Sequence, residues 1–461
     1  MTKDLTVGNP LKVIVSYMIP VFLGLVLQQA YNLVDTIVIG WFEGSKALGG
    51  VGAASSLCLM VMGATMGLCA GFCIPISHAF GEKNETKLRQ YLAHSIYLSA
   101  ANAAIIMAVF LSLGGPILDA MGTLPENYDH AYNYVMVYFM GVPCAVLYNL
   151  TSGVMRAMGD SKTPLYFLFI SSACNIVLDL VFVAWFKWGV TGAAWATNIS
   201  QALSGTLCVF YMRKKLPIIR FRKGDMKWST KHALHLLANG FPLALQYCIT
   251  FVGTMIMQVA INGLGQVIYV NTVAVCNKIN SLMNCTFNAI GPTMANFVGQ
   301  NVGAKRPDRV RSGLFVGILI SAVFSAIYML MATFLTPQMM RLFLDEAKEG
   351  AEVFAEMVVH AKQFLMTMGV FSIMIGLIIS HRFTMQGMGF AKLAIISGIL
   401  ELCARVLTAY VLVPKLGFTG VCLGSPAAWL FASCFVVPGA YICLAKLKKK
   451  QQAQTQELAE A

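Results

Sequence analysis

The chain has 461 residues, of which 57% are hydrophobic and only 11% are charged, and its mean hydropathy is +0.70. Since soluble domains carry about 25% charged residues, these values exclude a soluble globular protein and predict an integral membrane protein. The formal net charge of +13 could indicate a nucleic-acid partner, so the positions of the basic residues have to be considered.

Twelve apolar segments follow one another along the chain. About 20 apolar residues suffice to cross a hydrocarbon core of about 30 Å. Segments that long lie near 12–40, 47–77, 91–114, 131–153, 163–186, 191–212, 236–262, 268–298, 312–335, 357–380, 392–413 and 419–445. They contain Gly and Pro and lack the alternation of barrel strands, which predicts helices. The expected fold class is therefore an all-α membrane protein with 12 transmembrane helices.

The second six segments repeat the first six. A shift of 222 pairs Pro20 with Pro242, Gly81 with Gly303, Lys83 with Lys305 and Arg89 with Arg311, and a shift of 228 pairs Gly159 with Gly387 and Gly189 with Gly417. A shared register at segment ends indicates internal duplication. We therefore predict two pseudo-symmetric six-helix lobes: an N-lobe at 1–212, a cytoplasmic connector at 213–235, a C-lobe at 236–450 and a polar tail at 451–461.

The basic residues are unevenly distributed between the loops. Most of the 33 Lys and Arg fall on the side that holds the N-terminus, with clusters in 213–223, 305–311 and 446–450. Positive charge accumulates in cytoplasmic loops, so both termini are expected in the cytoplasm. The net charge then reflects membrane topology and contact with the lipid bilayer, and we expect no nucleic-acid partner.

Two acidic residues of the N-lobe, Asp35 and Asp179, lie inside predicted spans, where an ionised group costs about 2.5–3.5 kcal/mol. Polar residues share their helix faces: Gln28, Tyr31 and Asn32 with Asp35, and Asn175 with Asp179. Thr197 and Asn198 in the sixth segment lie at a depth in the membrane similar to that of the two acids. We expect these groups to surround one site that exchanges a proton or binds Na⁺. The alternative is that both acids only join helices through hydrogen bonds.

Three further charges lie within spans. Glu401 and Arg405 stand four residues apart, which predicts a structural ion pair, with a role in coupling as the alternative. Lys278 either faces the cavity, where its charge repels or counterbalances a cationic substrate, or pairs with another residue.

The thirteen cysteines are single residues within apolar segments and are expected to be buried hydrophobes. Since HExxH, GxSxG and paired His motifs are absent, neither an enzyme nor an organic or metal cofactor is expected.

The sequence resembles the multidrug and toxic compound extrusion (MATE) family over about residues 8–446. The segments that carry the resemblance are IPVFLGLVLQQAYNLVDTIVIGW, AFGEKNETKLRQYL, RAMGDSKTP, NIVLD, GVTGAAWATN and FVGQNVGAKRPDRVR. The resemblance implies two six-helix lobes around a central cavity. It also implies the bacterial branch that keeps its membrane acids in the N-lobe.

That branch uses residues that match Asp35, Asn175, Asp179 and Thr197 for cation coupling. By resemblance, Pro20 is the site of a helix bend, and Tyr31, Tyr134 and Asn149 are cavity neighbours. Other branches carry acids on the seventh and tenth helices, where this chain has Thr250 and Ile375. A cation site in the C-lobe is therefore not expected.

The resemblance implies an antiporter of the bacterial cytoplasmic membrane, in which inward H⁺ or Na⁺ drives export by alternating access. The expected substrates are drugs, toxic organic compounds or metabolites of amphipathic or cationic character, and the expected state is a monomer. The alternative is a flippase for lipid-linked oligosaccharides or wall precursors with a related two-lobe fold. Such flippases carry more cationic residues in their cavities, whereas acidic residues dominate the membrane segments of this N-lobe.

Overall fold

The computed structural model describes residues 3–121, 123, 125–344 and 350–460, except for the side chains of 44–48, 53, 56 and 454–460. All its regular elements in these ranges are helical. They are α1 Pro10–Gly81, α2 Glu85–Ala120, α3 Pro125–Met140, α4 Val142–Ala157, α5 Lys162–Asp179, a π-helix Leu180–Trp185, α6 Gly189–Lys215, a 3₁₀ turn Pro217–Ile219, α7 Thr230–Asn262, α8 Val267–Gly303, α9 Pro307–Phe334, α10 Thr336–Arg341, α11 Ala351–Gly387, α12 Leu393–Leu407, a second π-helix Thr408–Leu412, α13 Val413–Leu416 and α14 Phe418–Glu460.

Nine helical segments of the described chain are long and apolar enough to cross a membrane. Two of them, Pro10–Glu43 and Leu57–Gly81, belong to α1. The pair α3 and α4 forms a tenth span that bends by 46°. The helices α6 and α8 have sufficient length but more polar sequences, and with them the described residues account for the predicted twelve helices. The predicted all-helical fold is confirmed.

Local backbone geometry repeats between the halves. The helices α1 and α8 end at Gly81 and Gly303, and two residues later Lys83 and Lys305 both adopt a φ of +57°. A left-handed conformation costs an L-residue about 1–2 kcal/mol. The same costly turn at two positions of the predicted register independently supports the duplication.

The register is wrong at one predicted pair. After α4 the residue with positive φ is Gly159, at +86°, and after α11 it is Gly389, at +88°, whereas Gly387 is still helical. Both glycines follow a methionine that caps the preceding helix, so the C-cap geometry pairs Gly159 with Gly389. The shift of 228 returns at Gly189 and Gly417, whose φ angles are +61° and +56°.

The chain forms two compact units. The first contains residues 3–7, Val15–Leu245 and Gly299–Ala304, and the second contains Gly8–Ile14, Gln246–Val298 and the described residues from Lys305 onward. Except for Gly8–Ile14, the predicted N-lobe belongs to the first unit, together with the connector and the start of α7. Its core packs the second half of α1 against α2 and α4, with Phe72, Leu88 and Met155 fully buried.

The end of α8 belongs to the first unit because of its side-chain amides. Gln300 accepts a hydrogen bond from the backbone N–H of Leu5 at 2.9 Å and donates to the carbonyl of Ala157 at 2.8 Å. Asn301 donates to the carbonyl of Leu5 at 3.3 Å. All of these groups are buried, so the amides replace water for backbone groups in the N-terminal segment.

The connector is fixed to α2 at three points. Arg89 donates to the carboxylate of Asp225 at 2.6 Å, and Tyr97 donates to the carbonyl of Met226 at 3.2 Å. The fully buried His94 accepts a hydrogen bond from the backbone N–H of Ser229 at 2.8 Å. The helix α7 begins at Thr230, directly after these contacts. The connector is therefore a packed part of the first unit.

Candidate functional site

A cavity of about 170 Å³ lies among α1, α3, α4, α5 and α6 of the first unit. Six of the residues expected at the site line it: Gln28, Tyr31, Asn32, Asn149, Asn175 and Thr197. Other lining residues are Met62, Met66, Tyr138, Tyr148, Ser171, Ser172, Ser200, Gln201 and Ser204. The cavity thus combines amides and hydroxyls with aromatic and thioether groups.

The carboxyl groups of Asp35 and Asp179 lie close to each other beside this cavity. Asp35 interacts with the side chains of Asp179 and Thr197, although no hydrogen bond within 3.5 Å joins them. Asp179 is fully buried, and neither of its carboxylate oxygens has a hydrogen-bond partner. Oδ1 of Asp35 and both polar side-chain atoms of Asn175 are also buried without a partner. Orphaned buried polar atoms are costly, so their concentration here indicates a site for a further group.

Helical spacing explains why the acids meet amides and hydroxyls. In α5, Ser172, Asn175 and Asp179 stand three and four residues apart and share the buried face. Asp179 is the last residue of α5, and the π-helix Leu180–Trp185 begins directly after it. A π-helix shifts the backbone ladder by one residue and commonly accompanies functional sites.

Two neighbouring carboxyl groups, one fully buried and one partly buried, repel each other when both are ionised. A proton on either one removes the repulsion, and so does a small cation between them. Oxygen atoms of Asp35, Asp179 and Asn175 are hard ligands of the kind that suits Na⁺. The site residues therefore fit either a proton or Na⁺. Among the described residues no group of three or more His, Cys, Asp or Glu forms a metal site.

Two residues that were expected at the cavity have other surroundings. Asn198 is 4% exposed and donates to the carbonyl of Val137 at 2.7 Å, while its side chain packs on Gly141. The prediction that Asn198 lines the cavity is wrong, because its position on α6 turns it toward α3. Tyr134 lies next to the site, where it packs against the small cluster of Val38, Ile39, Val183, Val190 and Ala193. Its ring stacks on that of Tyr138 with centroids 5.7 Å apart.

Lys278 and Pro20 also have defined positions. Lys278 is exposed on α8 in the second unit, and no carboxylate of the described residues lies within 4 Å of it. It does not line the cavity of the first unit. Pro20 is buried inside α1, which continues through it. Since proline donates no backbone hydrogen bond, it weakens the helix there, and its role as a bend stays a prediction.

Glu401 and Arg405 lie near enough for their charges to interact, but the structure records no contact within 4 Å between them, as the predicted ion pair requires. Arg382 of α11 donates to Glu401 at 2.9 Å, and both side chains are largely buried. The guanidinium of Arg405 instead donates to the backbone carbonyl of Thr250 at 3.1 Å. Spacing within one helix suggested the pair, but a residue from a neighbouring helix supplies the closer charge.

Several cavity residues were not predicted, although part of their signal is in the sequence. In α6, Thr197, Ser200, Gln201 and Ser204 recur at spacings of three and four residues, which marks a polar face on one helix. The aromatic residues Tyr138 and Tyr148 carry no such signal. They line the cavity from α3 and α4, two helices that meet at a bend of 46°.

Comparison with known proteins gives the family. The MatE family model matches the chain twice, at residues 20–181 and 242–411, so each match begins at one of the two repeated prolines. A probable multidrug resistance protein, YpnP of Bacillus subtilis, is 27% identical over 437 residues, which cover 94% of this chain and 95% of that protein. The multidrug export protein MepA of Staphylococcus aureus is 27% identical over 212 residues, or 45% of this chain and 46% of MepA.

Solved structures show the same fold. A structure described as MATE in the bent conformation aligns with a TM-score of 0.88 at 22% identity, covering 97% of this chain and 98% of that one. An outward-facing multidrug resistance MATE family transporter of the MOP superfamily aligns with a TM-score of 0.89 at 22% identity, covering 96% and 98%. The double family match spans most of the chain, and this protein therefore belongs to the MATE family of membrane transporters.

Proposed function

We propose that this transporter is an antiporter that exports small organic compounds across the cytoplasmic membrane by alternating access, driven by inward movement of H⁺ or Na⁺. The observation that carries the proposal is the pair of half-buried Asp35 and fully buried Asp179 beside the cavity, with three buried carboxylate oxygens that have no hydrogen-bond partner. Buried acids without partners in a membrane protein are expensive unless an ion completes them.

Coupling follows from the repulsion between the two carboxylates. When a proton or Na⁺ occupies the site, the acids approach and the surrounding helices are stabilised in one arrangement. When the site is empty, the negative charge favours an arrangement that admits solvent or a cationic substrate. If ion and substrate favour different arrangements, each lowers the affinity for the other by the same factor.

The lining of the cavity supports small amphipathic or cationic substrates. Tyr31, Tyr138 and Tyr148 offer aromatic faces that attract cations, and Met62 and Met66 adapt to different shapes. The relatives are named as a probable multidrug resistance protein and a multidrug export protein, which agrees with export of such compounds.

The distribution of charge supports the orientation. The clustered Lys and Arg lie at the end of α6 and in the connector, in the segment 305–311, and at positions 446–450 of α14. Because cytoplasmic loops accumulate positive charge, we place both termini in the cytoplasm. The first unit contains all the groups that the coupling mechanism needs, so the protein is proposed to act as a monomer.

The substitution Asp35→Asn tests the coupling site. It keeps the size and polarity of the side chain but cannot exchange a proton at neutral pH. In proteoliposomes that contain a fluorescent organic cation, we expect Asp35→Asn to abolish ion-driven transport while the protein keeps its thermal unfolding temperature. The matched control is Asp119→Asn, which changes an exposed acid on α2 and should transport normally. Full transport by Asp35→Asn contradicts the proposal.

The coupling ion is identified by imposing the gradients one at a time. A pH gradient without Na⁺, and a Na⁺ gradient at equal pH, should differ in their ability to drive transport by the native protein. Neither gradient should drive Asp35→Asn. Equal transport without any gradient would show that the protein is a facilitator, and it would contradict antiport.

A further inference from the structure

A second cavity, of about 310 Å³, lies in the first unit, where α6 ends and the connector begins. Its walls come from α2, α4, α6 and the 3₁₀ turn with the residues after it. It shares no lining residue with the cavity beside Asp35 and Asp179. Its volume lies at the lower end of the range of about 300–1,000 Å³ that is usual for ligand pockets.

The inner part of this second cavity is apolar. Leu92, Val154, Met212 and Ile219 are buried in its floor and walls. Leu92 and Ile96 lie seven and eleven residues after the start of α2, which corresponds to a depth of about 10–16 Å along the helix. Ile96, which is 42% exposed, leaves the cavity open at its side. An apolar slot at this depth is suited to a hydrocarbon chain.

The mouth of the second cavity is cationic. Arg213, near the end of α6, and Arg220, just after the 3₁₀ turn, both line it and are exposed. Within the described chain neither guanidinium has a carboxylate within 4 Å. The acids of this region are already engaged, since Asp225 and Glu85 both contact Arg89. Two arginines without acidic partners at the polar end of an apolar slot complement a phosphate group that carries a chain.

The wall that bears Arg220 is held in place. The ion pair of Arg89 with Asp225 fixes the connector, and Arg89 also approaches the carbonyl of Ile218 at 3.5 Å. The cavity is therefore formed by packed elements before any ligand arrives, and little ordering is needed on binding.

We infer that this second cavity binds an anionic glycerophospholipid, with an acyl chain between α2, α4 and α6 and its phosphate between Arg213 and Arg220. The inference does not rest on the proposed export function, because it concerns different residues and needs no transport. The complementary charge selects an anionic lipid over a zwitterionic one, since basic residues near a membrane surface attract anionic lipids.

The test uses the full-length protein, delipidated in a nonionic detergent and titrated with dioleoyl phosphatidylglycerol. Bound lipid is measured by mass spectrometry of the intact complex, and stabilisation is measured as the rise in thermal unfolding temperature. We expect one saturable phosphatidylglycerol that phosphatidylcholine does not displace. The double substitution Arg213→Gln with Arg220→Gln should weaken binding at least about 10-fold. The matched control, Lys214→Gln with Lys215→Gln, removes the same charge from residues outside the cavity and should bind nearly as native.

A second pair of variants tests the slot for the chain. Val209→Trp fills the cavity and should abolish saturable binding, whereas Phe210→Trp, at the adjacent exposed position, should not. Unchanged binding after removal of both arginines overturns the inference, and so does equal binding of phosphatidylcholine. If soluble glycerol phosphate raises the thermal unfolding temperature as much as phosphatidylglycerol does, the cavity binds only the phosphate group. That result would overturn the assignment of a lipid.

Discussion

The guanidinium of Arg89 and the carboxylate of Asp225 form a buried ion pair at 2.6 Å across 136 residues of sequence. Removing one partner of such a pair leaves the other charge buried and unpaired. We expect Arg89→Gln to lower the thermal unfolding temperature in detergent by about 5 °C. The control is Arg222→Gln, whose exposed side chain only approaches Glu85 at 3.7 Å and whose loss should change the unfolding temperature little. Equal effects of the two substitutions would show that the pair is unimportant.

The same pair makes stability dependent on acid. Burial alone would raise the pKa of Asp225, but hydrogen bonds from the backbone N–H of Arg222 and from Arg89 outweigh it and hold the pKa below its ordinary value of 3.8. A carboxyl whose pKa is lower in the folded state adds stability above its unfolded pKa and loses it as pH falls through the folded pKa. The native protein should therefore exceed Asp225→Asn in unfolding temperature above about pH 5. The difference should shrink below pH 3.8, as unfolding scans across pH 3–7 would measure. A constant difference would contradict the assignment.

The contact between Gly141 and Asn198 should control packing where α3 meets α4. A Cβ at position 141 would collide with the amide of Asn198, which is fixed by its hydrogen bond to Val137. We expect Gly141→Ala to cost about 1–3 kcal/mol of unfolding free energy. Adding Asn198→Ala should recover part of this loss, because the colliding group is gone. Strictly additive losses in a double-mutant cycle would argue against direct contact.

Coupling energies can show whether Glu401 pairs with Arg382 or with Arg405. Glu401→Gln and Arg382→Gln should each destabilise by about 3 kcal/mol, and the double variant should lose much less than their sum. Arg405→Gln combined with Glu401→Gln should come closer to additivity, since Arg405 bonds to the carbonyl of Thr250. Unfolding in detergent of the single and double variants would measure both cycles. Stronger coupling with Arg405 than with Arg382 would restore the pairing that spacing suggests.

Local patterns in the sequence predicted the helices, the membrane acids and the polar faces, because these depend on residues a few positions apart. Polar helix faces, depth in the membrane and the family resemblance predicted one site for Asp35 and Asp179, and the folded chain brings them together. The rest depends on how helices turn and cross. Asn198 follows Thr197 directly but points toward α3, and Glu401 meets Arg382 from another helix. Neither outcome can be derived from periodicity, since it is set by packing between distant segments.

The two π-helices occupy matched positions of the repeat. Leu407 precedes the second one as Asp179 precedes the first, so the same widened turn follows an acid in one half and a leucine in the other. A π turn is rare, so its recurrence at matched positions agrees with the internal repeat. The two halves therefore share this turn of the backbone and differ there in the side chain that precedes it. The substitution Leu407→Asp would place a carboxyl group directly before the π-helix of the second half, as Asp179 stands directly before that of the first.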